Sequence, residues 1–169
     1  VNKYFNEKND ENNLEEILEN LDNIKDDKQL NYVYNGLAIY MCQYKISNQK
    51  SNDNFNKKVF YNFYLFLLCN LNEIHKKHLI DSILNLLQFD SSTTIEFSSL
   101  FQDILLDIES EDIEKQLIFH FFERILFFPI PWGIRYTYKL LMKNEKFKNM
   151  KKMYLKNNNE IENTLNKIK

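Results

Sequence analysis

Two glycines and two prolines are all that punctuate 169 residues, and this scarcity constrains the fold more than any other feature. Sheets need tight turns, and tight turns need residues that tolerate positive φ or arrive with φ preset. Helices joined by polar Asn, Asp and Ser links are the natural alternative. The apolar spacing agrees. Ile113, Leu117, Phe121 and Ile125 recur every four residues, and Ile118, Phe122 and Leu126 broaden that line into a stripe. The fold class read from the sequence is all-α.

Successive helices are expected over Leu14 to Ile24, Gln29 to Ile46, Asn56 to Leu71 and Glu73 to Phe89. Asn56 to Leu71 is apolar nearly all round and is expected to be the most buried. Gly36 and Ala38 form a small-residue patch where another helix could approach. Thr93 with Glu96 reads as a capping box opening a helix to Ile108. Ser110 caps the next, with Glu111 and Asp112 placed well against its dipole, and that helix stops before Pro129. Trp132 to Lys143 follows, its buried face assigned to Trp132 and Leu140. Asn159 caps a terminal helix through Ile161 and Leu165. Helices of similar length with short links suggest antiparallel hairpins in a HEAT/armadillo-like stack, forming a single domain over 1–169 with a flexible loop at 47–58.

Composition narrows the function. A formal charge of −2 and a pI near 6.0 provide no general field to gather nucleic acid. Cys42 and Cys69 belong to no CxxC pattern and sit in apolar stretches, which suits buried reduced thiols. The start of the chain has no secretory apolar core, and the run from Phe63 to Cys69 is far short of the ~18 residues a membrane span needs. A soluble cytoplasmic protein, also compatible with the nucleus, is expected. The absence of an initiating Met suggests a piece of a larger chain.

Candidate chemistry is sparse. His75 and His78, three apart, could face a metal together, but no Cys or carboxylate motif completes the set, and they read as solvated residues beside Lys76 and Lys77. His120, three residues before Glu123, could be an oriented base, yet no nucleophile motif accompanies it. Phosphate cradles of the Gly-rich kind need more glycine than the chain has. No catalytic residue, metal or cofactor is therefore expected, and the protein is read as no enzyme. The Lys139 to Lys156 run, interleaved with Phe147 and Tyr154, is the one basic patch, which reads as a solvated helical face or as a surface for RNA phosphates.

The segment Phe122-Glu123-Arg124-Ile125-Leu126-Phe127-Phe128-Pro129-Ile130-Pro131-Trp132-Gly133 is the most specific in the chain. Its prolines lack N–H donors and bias their predecessors away from the helix. Trp132 offers an apolar body to pin the corner, and Gly133 allows close backbone approach. The segment resembles the helix end and Pro-x-Pro-Trp-Gly turn near the C-terminus of the NOT-one scaffold of the carbon catabolite repression/NOT deadenylase complex. The resemblance continues through Thr137, Lys143-Asn144, Phe147-Lys148 and Glu160-Ile161-Glu162, with weaker echoes at Asn35 to Ala38 and Phe63 to Phe66. Phe128 and Ile130 depart from the pattern, and 71–108 reads as an inserted helical pair. The resemblance implies a non-catalytic scaffold domain in mRNA deadenylation, mRNA decay and translational repression. It would dock the NOT-box subunits, and short peptides of RNA-bound repressors, without direct contact to nucleic acid or membrane. A helical RNA-binding module using the Lys139 to Lys156 patch is the alternative. Arg135, Tyr136 and Lys139 are the candidate partner-binding residues, with Pro129, Pro131, Trp132 and Gly133 as the structural motif.

Overall fold

A computed structural model of the chain describes residues 11–48, 57–88, 92–126, 129–155 and 159–165. The flexible loop expected at 47–58 falls largely outside the described residues. What is described is all-α, with no strand among those residues. The helices are α1 (Glu11–Asp22), α2 (Asp27–Asn48), α3 (Lys57–Asn70), α4 (Glu73–Leu86), α5 (Ser92–Asp107), α6 (Glu111–Leu126), α7 (Trp132–Leu141), α8 (Glu145–Leu155) and α9 (Asn159–Leu165). No described helix is long and apolar enough to cross a membrane.

Short polar side chains start these helices, which gives the abundant Asn a local purpose. Asp26 Oδ1 accepts from the Gln29 amide at 3.0 Å ahead of α2, and Asn72 Oδ1 from the His75 amide at 3.1 Å ahead of α4. Asn144 Oδ1 accepts from the Lys146 and Phe147 amides at 2.8 and 3.3 Å, opening α8. Each satisfies donors that the first helical turn leaves without partners. Ser110 stands before α6 as expected, its Oγ 3.5 Å from the Ile113 amide, with Glu111, Asp112 and Glu114 in the first turn and Arg124 in the last. Thr93 departs from expectation: α5 already begins at Ser92, so Thr93 lies inside its first turn.

The chain divides into two compact units, Val1–Ser82 and Ile83–Lys169, the boundary falling within α4. In the first unit Tyr34, Met41, Phe60, Phe63, Tyr64, Leu67 and Leu68 are fully buried. Tyr64 meets Phe63 edge-on, and its hydroxyl has no hydrogen-bond partner among the described residues. Gly36 is exposed, and a Cβ there would meet nothing within 4 Å among the described residues, whereas Ala38 of the same patch is buried. Cys69 is exposed and Cys42 partly so, against the expectation of two buried thiols. Cys69 lies one step beyond Leu68 on the helix, just past the buried stripe.

In the second unit α6 is central, packing on α5, α7, α8 and α9. Ile113, Leu117, Ile118, Phe121, Phe122 and Ile125 are buried as the stripe predicts, but Leu126 at the helix end is exposed. Phe122 is the hub of an aromatic cluster. It stacks on Phe147 at 6.0 Å between centroids and meets Phe121 and Tyr138 edge-on at 5.8 and 6.4 Å. The α8 helix was not expected as a separate element, because its lysines conceal the buried trio Phe147, Met150 and Leu155.

Candidate docking sites

Pro131 stands at φ −56° and ψ 142°, an extended conformation that ends the preceding chain direction and starts α7 without a side-chain cap. Its carbonyl accepts from the Arg135 amide at 3.1 Å, closing the first turn. Gly133 then lies so close to the end of α4 and the start of α5 that a Cβ would sit 2.1 Å from the Leu87 carbonyl oxygen and 2.4 Å from Thr94 Cγ2. Only hydrogen fits there. Thr137, one turn on and fully buried, places its Oγ1 2.7 Å from both the Gly133 carbonyl and Ser98 Oγ. Leu87, Thr94 and Ser98 thus supply the surface against which the Pro-Trp-Gly corner is set.

The buried face of α7 consists of Gly133, Ile134, Thr137, Tyr138 and Leu141. This corrects the assignment of that face to Trp132 and Leu140. Close approach at Gly133 fixes the rotation of the helix, which turns Trp132 outward to 39% exposure and leaves Leu140 half-buried. Trp132 instead stacks on Tyr136, with centroids 5.1 Å apart and planes within 10°. Arg135 and Lys139 are exposed at the same helical spacing, and Arg135 Nη2 donates to the Ile130 carbonyl at 3.4 Å. Arg135, Tyr136 and Lys139 therefore share the outward side of α7 with Trp132, as an aromatic shelf edged by cations.

Much of the neighbouring basic run is engaged in holding the fold. Lys146 Nζ donates to the Leu106 and Ile108 carbonyls at 2.6 and 3.5 Å, at the end of α5, and lies 4.0 Å from Glu114. Lys151 donates to the Tyr138 hydroxyl at 3.1 Å and lies over the same ring. Lys148 pairs with Glu145, whose carboxyl that contact holds below its ordinary range. Tyr154 donates to Glu114 at 3.2 Å, and its pKa is raised to about 12, first by burial and then by that carboxylate.

The histidines behave differently from their sequence reading. His75 is only 3% exposed and His78 is buried too, because the α4 face carrying His75, His78, Leu79 and Ser82 is the inner one. That apolar spacing was the signal, obscured by Lys76 and Lys77. His75 Nε2 lies 3.1 Å from the Ile24 carbonyl and must donate to it, so in the neutral ring Nδ1 accepts from the Tyr34 hydroxyl at 3.0 Å. His78 lies 3.1 Å from Asp27 Oδ1 and 3.0 Å from Asn31 Oδ1. The pair ties α4 to α2 and to the α1–α2 connection. Burial, and then the Asp22 carboxylate, push the Tyr34 hydroxyl well above its ordinary range. No three His, Cys, Asp or Glu among the described residues gather into a metal-holding group. His120 Nδ1 lies 3.4 Å from Glu123 Oε2 on the outer side of α6, beside the exposed Phe119.

Beside His75 a cleft of about 520 Å³ opens in the first unit, between the end of α1, the α1–α2 connection and the start of α4. Asp22, Ile24, Lys25, Leu30, Asn72, Glu73, Ile74 and His75 line it, a feature the sequence reading missed because its walls come from segments ~50 residues apart.

No curated protein matches the chain. The family described as CCR4-Not complex component, Not1, matches residues 1–169, the full length of the sequence. All-α, with a buried glycine at its Pro-Trp-Gly corner, the chain belongs to the Not1 family of CCR4-Not complex components.

Proposed function

We propose that the chain is a non-catalytic scaffold domain of the CCR4-Not complex, spanning 1–169 as one module. In this reading it docks the NOT-box subunits and regulators of mRNA deadenylation, decay and translational repression. Family membership makes the other subunits of the complex its partners in general terms. The observation that carries the finer reading is the outward shelf on α7. A stacked Trp132–Tyr136 pair with Arg135 and Lys139 beside it offers apolar area and directional charge to a peptide or a helix. Aromatic residues lying open beside a rigid corner have little side-chain freedom left to lose on binding.

The RNA-binding alternative has less support. Lys146, Lys148 and Lys151 already hold carbonyls, a carboxylate and a phenol within the unit. The deciding experiment is a titration of the chain with the recombinant NOT-box pair at two salt concentrations. Binding should survive moderate salt and weaken on Tyr136→Ala. Association that vanishes at moderate salt, or micromolar binding to generic RNA under the same conditions, overturns the reading in favour of the basic patch.

A further inference from the structure

The chain carries a net charge of only −2, but the charge is unevenly spread. Between residues 15 and 27 stand Glu15, Glu16, Glu19, Asp22, Asp26 and Asp27 against the single Lys25, and all of these are exposed. Of these, Asp22 and Lys25 line the 520 Å³ cleft, and Glu15 and Glu19 stand at helical spacing from Asp22 along α1. Across the opening stands Glu73 at the start of α4, its carboxylate paired with Lys76 at 3.0 Å. The floor is apolar, made by Ile24 and Leu30, and Ile74 stands at the rim with 60% of its surface exposed. His75 turns both ring nitrogens to Tyr34 and Ile24, so it fixes the floor and offers no further polar partner.

We propose that this cleft is a docking site for a lysine- or arginine-rich segment of a partner protein that carries one apolar anchor side chain. The anchor fills the space between Ile24, Leu30 and Ile74, where it leaves water and removes the exposed Ile74 from water as well. The cations lie along Asp22 and the outer face of α1. There the carboxylates steer the segment in and reject acidic ones. Charge complementarity selects the occupant: an acidic or neutral segment would gain only the apolar contact. The site is separate in residues and opposite in sign from the shelf on α7, so its occupancy does not depend on the reading of that shelf.

The test is fluorescence anisotropy of the whole chain with a labelled eight-residue lysine/arginine peptide bearing one central leucine. Two control peptides replace the leucine by serine or the cations by glutamate. The leucine peptide should bind, the serine version about tenfold more weakly, as expected for loss of one apolar anchor in a pocket. The glutamate version should not bind. Ile74→Ser should weaken the leucine peptide about tenfold by the same loss. Its melting curve should match that of the unaltered chain because Ile74 is exposed. Asp22→Lys should weaken binding and flatten its salt dependence. Equal binding of the leucine and serine peptides would reveal a merely acidic surface and overturn the proposal. So would an Ile74→Ser variant that binds as before, or binding of the glutamate peptide. Concentration-dependent dimers that Ile74→Ser abolishes, without any peptide effect, would assign the cleft to a second copy of the chain instead.

Discussion

The two units position their surfaces by opposite means. In the first, buried polar groups hold an irregular segment in place: His75 and His78 reach from α4 to Ile24, Tyr34, Asn31 and Asp27. In the second, an absent side chain does it, with Gly133 letting α7 touch the Leu87 carbonyl. The difference matters because hydrogen bonds tolerate small displacements, whereas at Gly133 the space left is too small for even one added carbon. The cleft is built on a hydrogen-bonded connection and the shelf on a rigid corner. Their charges are opposed as well, carboxylates around the cleft and cations on the shelf.

The contrast is tested hardest at Gly133. Gly133→Ala should destabilise the chain by about 3 kcal/mol or more, because the obstructing atoms belong mainly to backbone that cannot swing aside. Thermal melting measures it, and a loss below ~1 kcal/mol would mean the corner yields like an ordinary surface turn. His75→Ala should cost about 2–3 kcal/mol, since it removes two buried hydrogen bonds and leaves the Tyr34 hydroxyl and Ile24 carbonyl facing a hole. If instead the units rely on the same kind of contact, the two losses will be similar.

Alkaline titration separates the units without mutation. Tyr34 and Tyr64 in the first unit have hydroxyls pushed above their ordinary value of 10.0 by burial, and Tyr154 in the second is raised to about 12. A folded-state pKa above the unfolded one gives stability that is complete below the unfolded value and declines as pH rises toward the folded value. The fold should therefore weaken above pH ~10, with tyrosinate absorbance rising together with loss of helical circular dichroism. Tyr64→Phe should blunt that decline. It should cost nothing at neutral pH, because the hydroxyl it deletes has no partner among the described residues. Tyrosinate absorbance that rises near its ordinary pH with the helices intact would show these rings to be accessible.

Trp132→Ala should destabilise by only about 1 kcal/mol, since the ring is 39% exposed and rests on Tyr136 rather than in the core. Its effect on the proposed NOT-box binding should be larger than its effect on melting. A loss of ~3 kcal/mol would return Trp132 to a pinning role. Lys146→Met should be comparable or smaller, about 1 kcal/mol, from carbonyls at the end of α5 losing their charged donor. A null result there would leave Lys146 available to the RNA-binding alternative.

Sequence alone determined the helical class, since so few turn formers leave a sheet nothing to turn on, and the four-residue period marked the inner face of α6 correctly. It also located the corner, because proline removes a donor wherever it stands. What only tertiary structure decided was rotation and partnership. Trp132 looks like a core residue by type, yet α7 is rotated by the contact at Gly133, which involves Leu87 and Thr94 some forty residues earlier. His75 and His78 look solvated by their neighbours, yet their stripe is buried because Ile24 in the α1–α2 connection and Asp27 at the start of α2 supply acceptors for them. α8 escaped detection for the related reason that its lysines find partners on α5 and α7, so its polarity is satisfied inside the unit. Periodicity records which residues lie on one face of a helix. Which face turns inward depends on atoms far away in the chain, and at Gly133 and His75 those atoms settle where the shelf and the cleft lie.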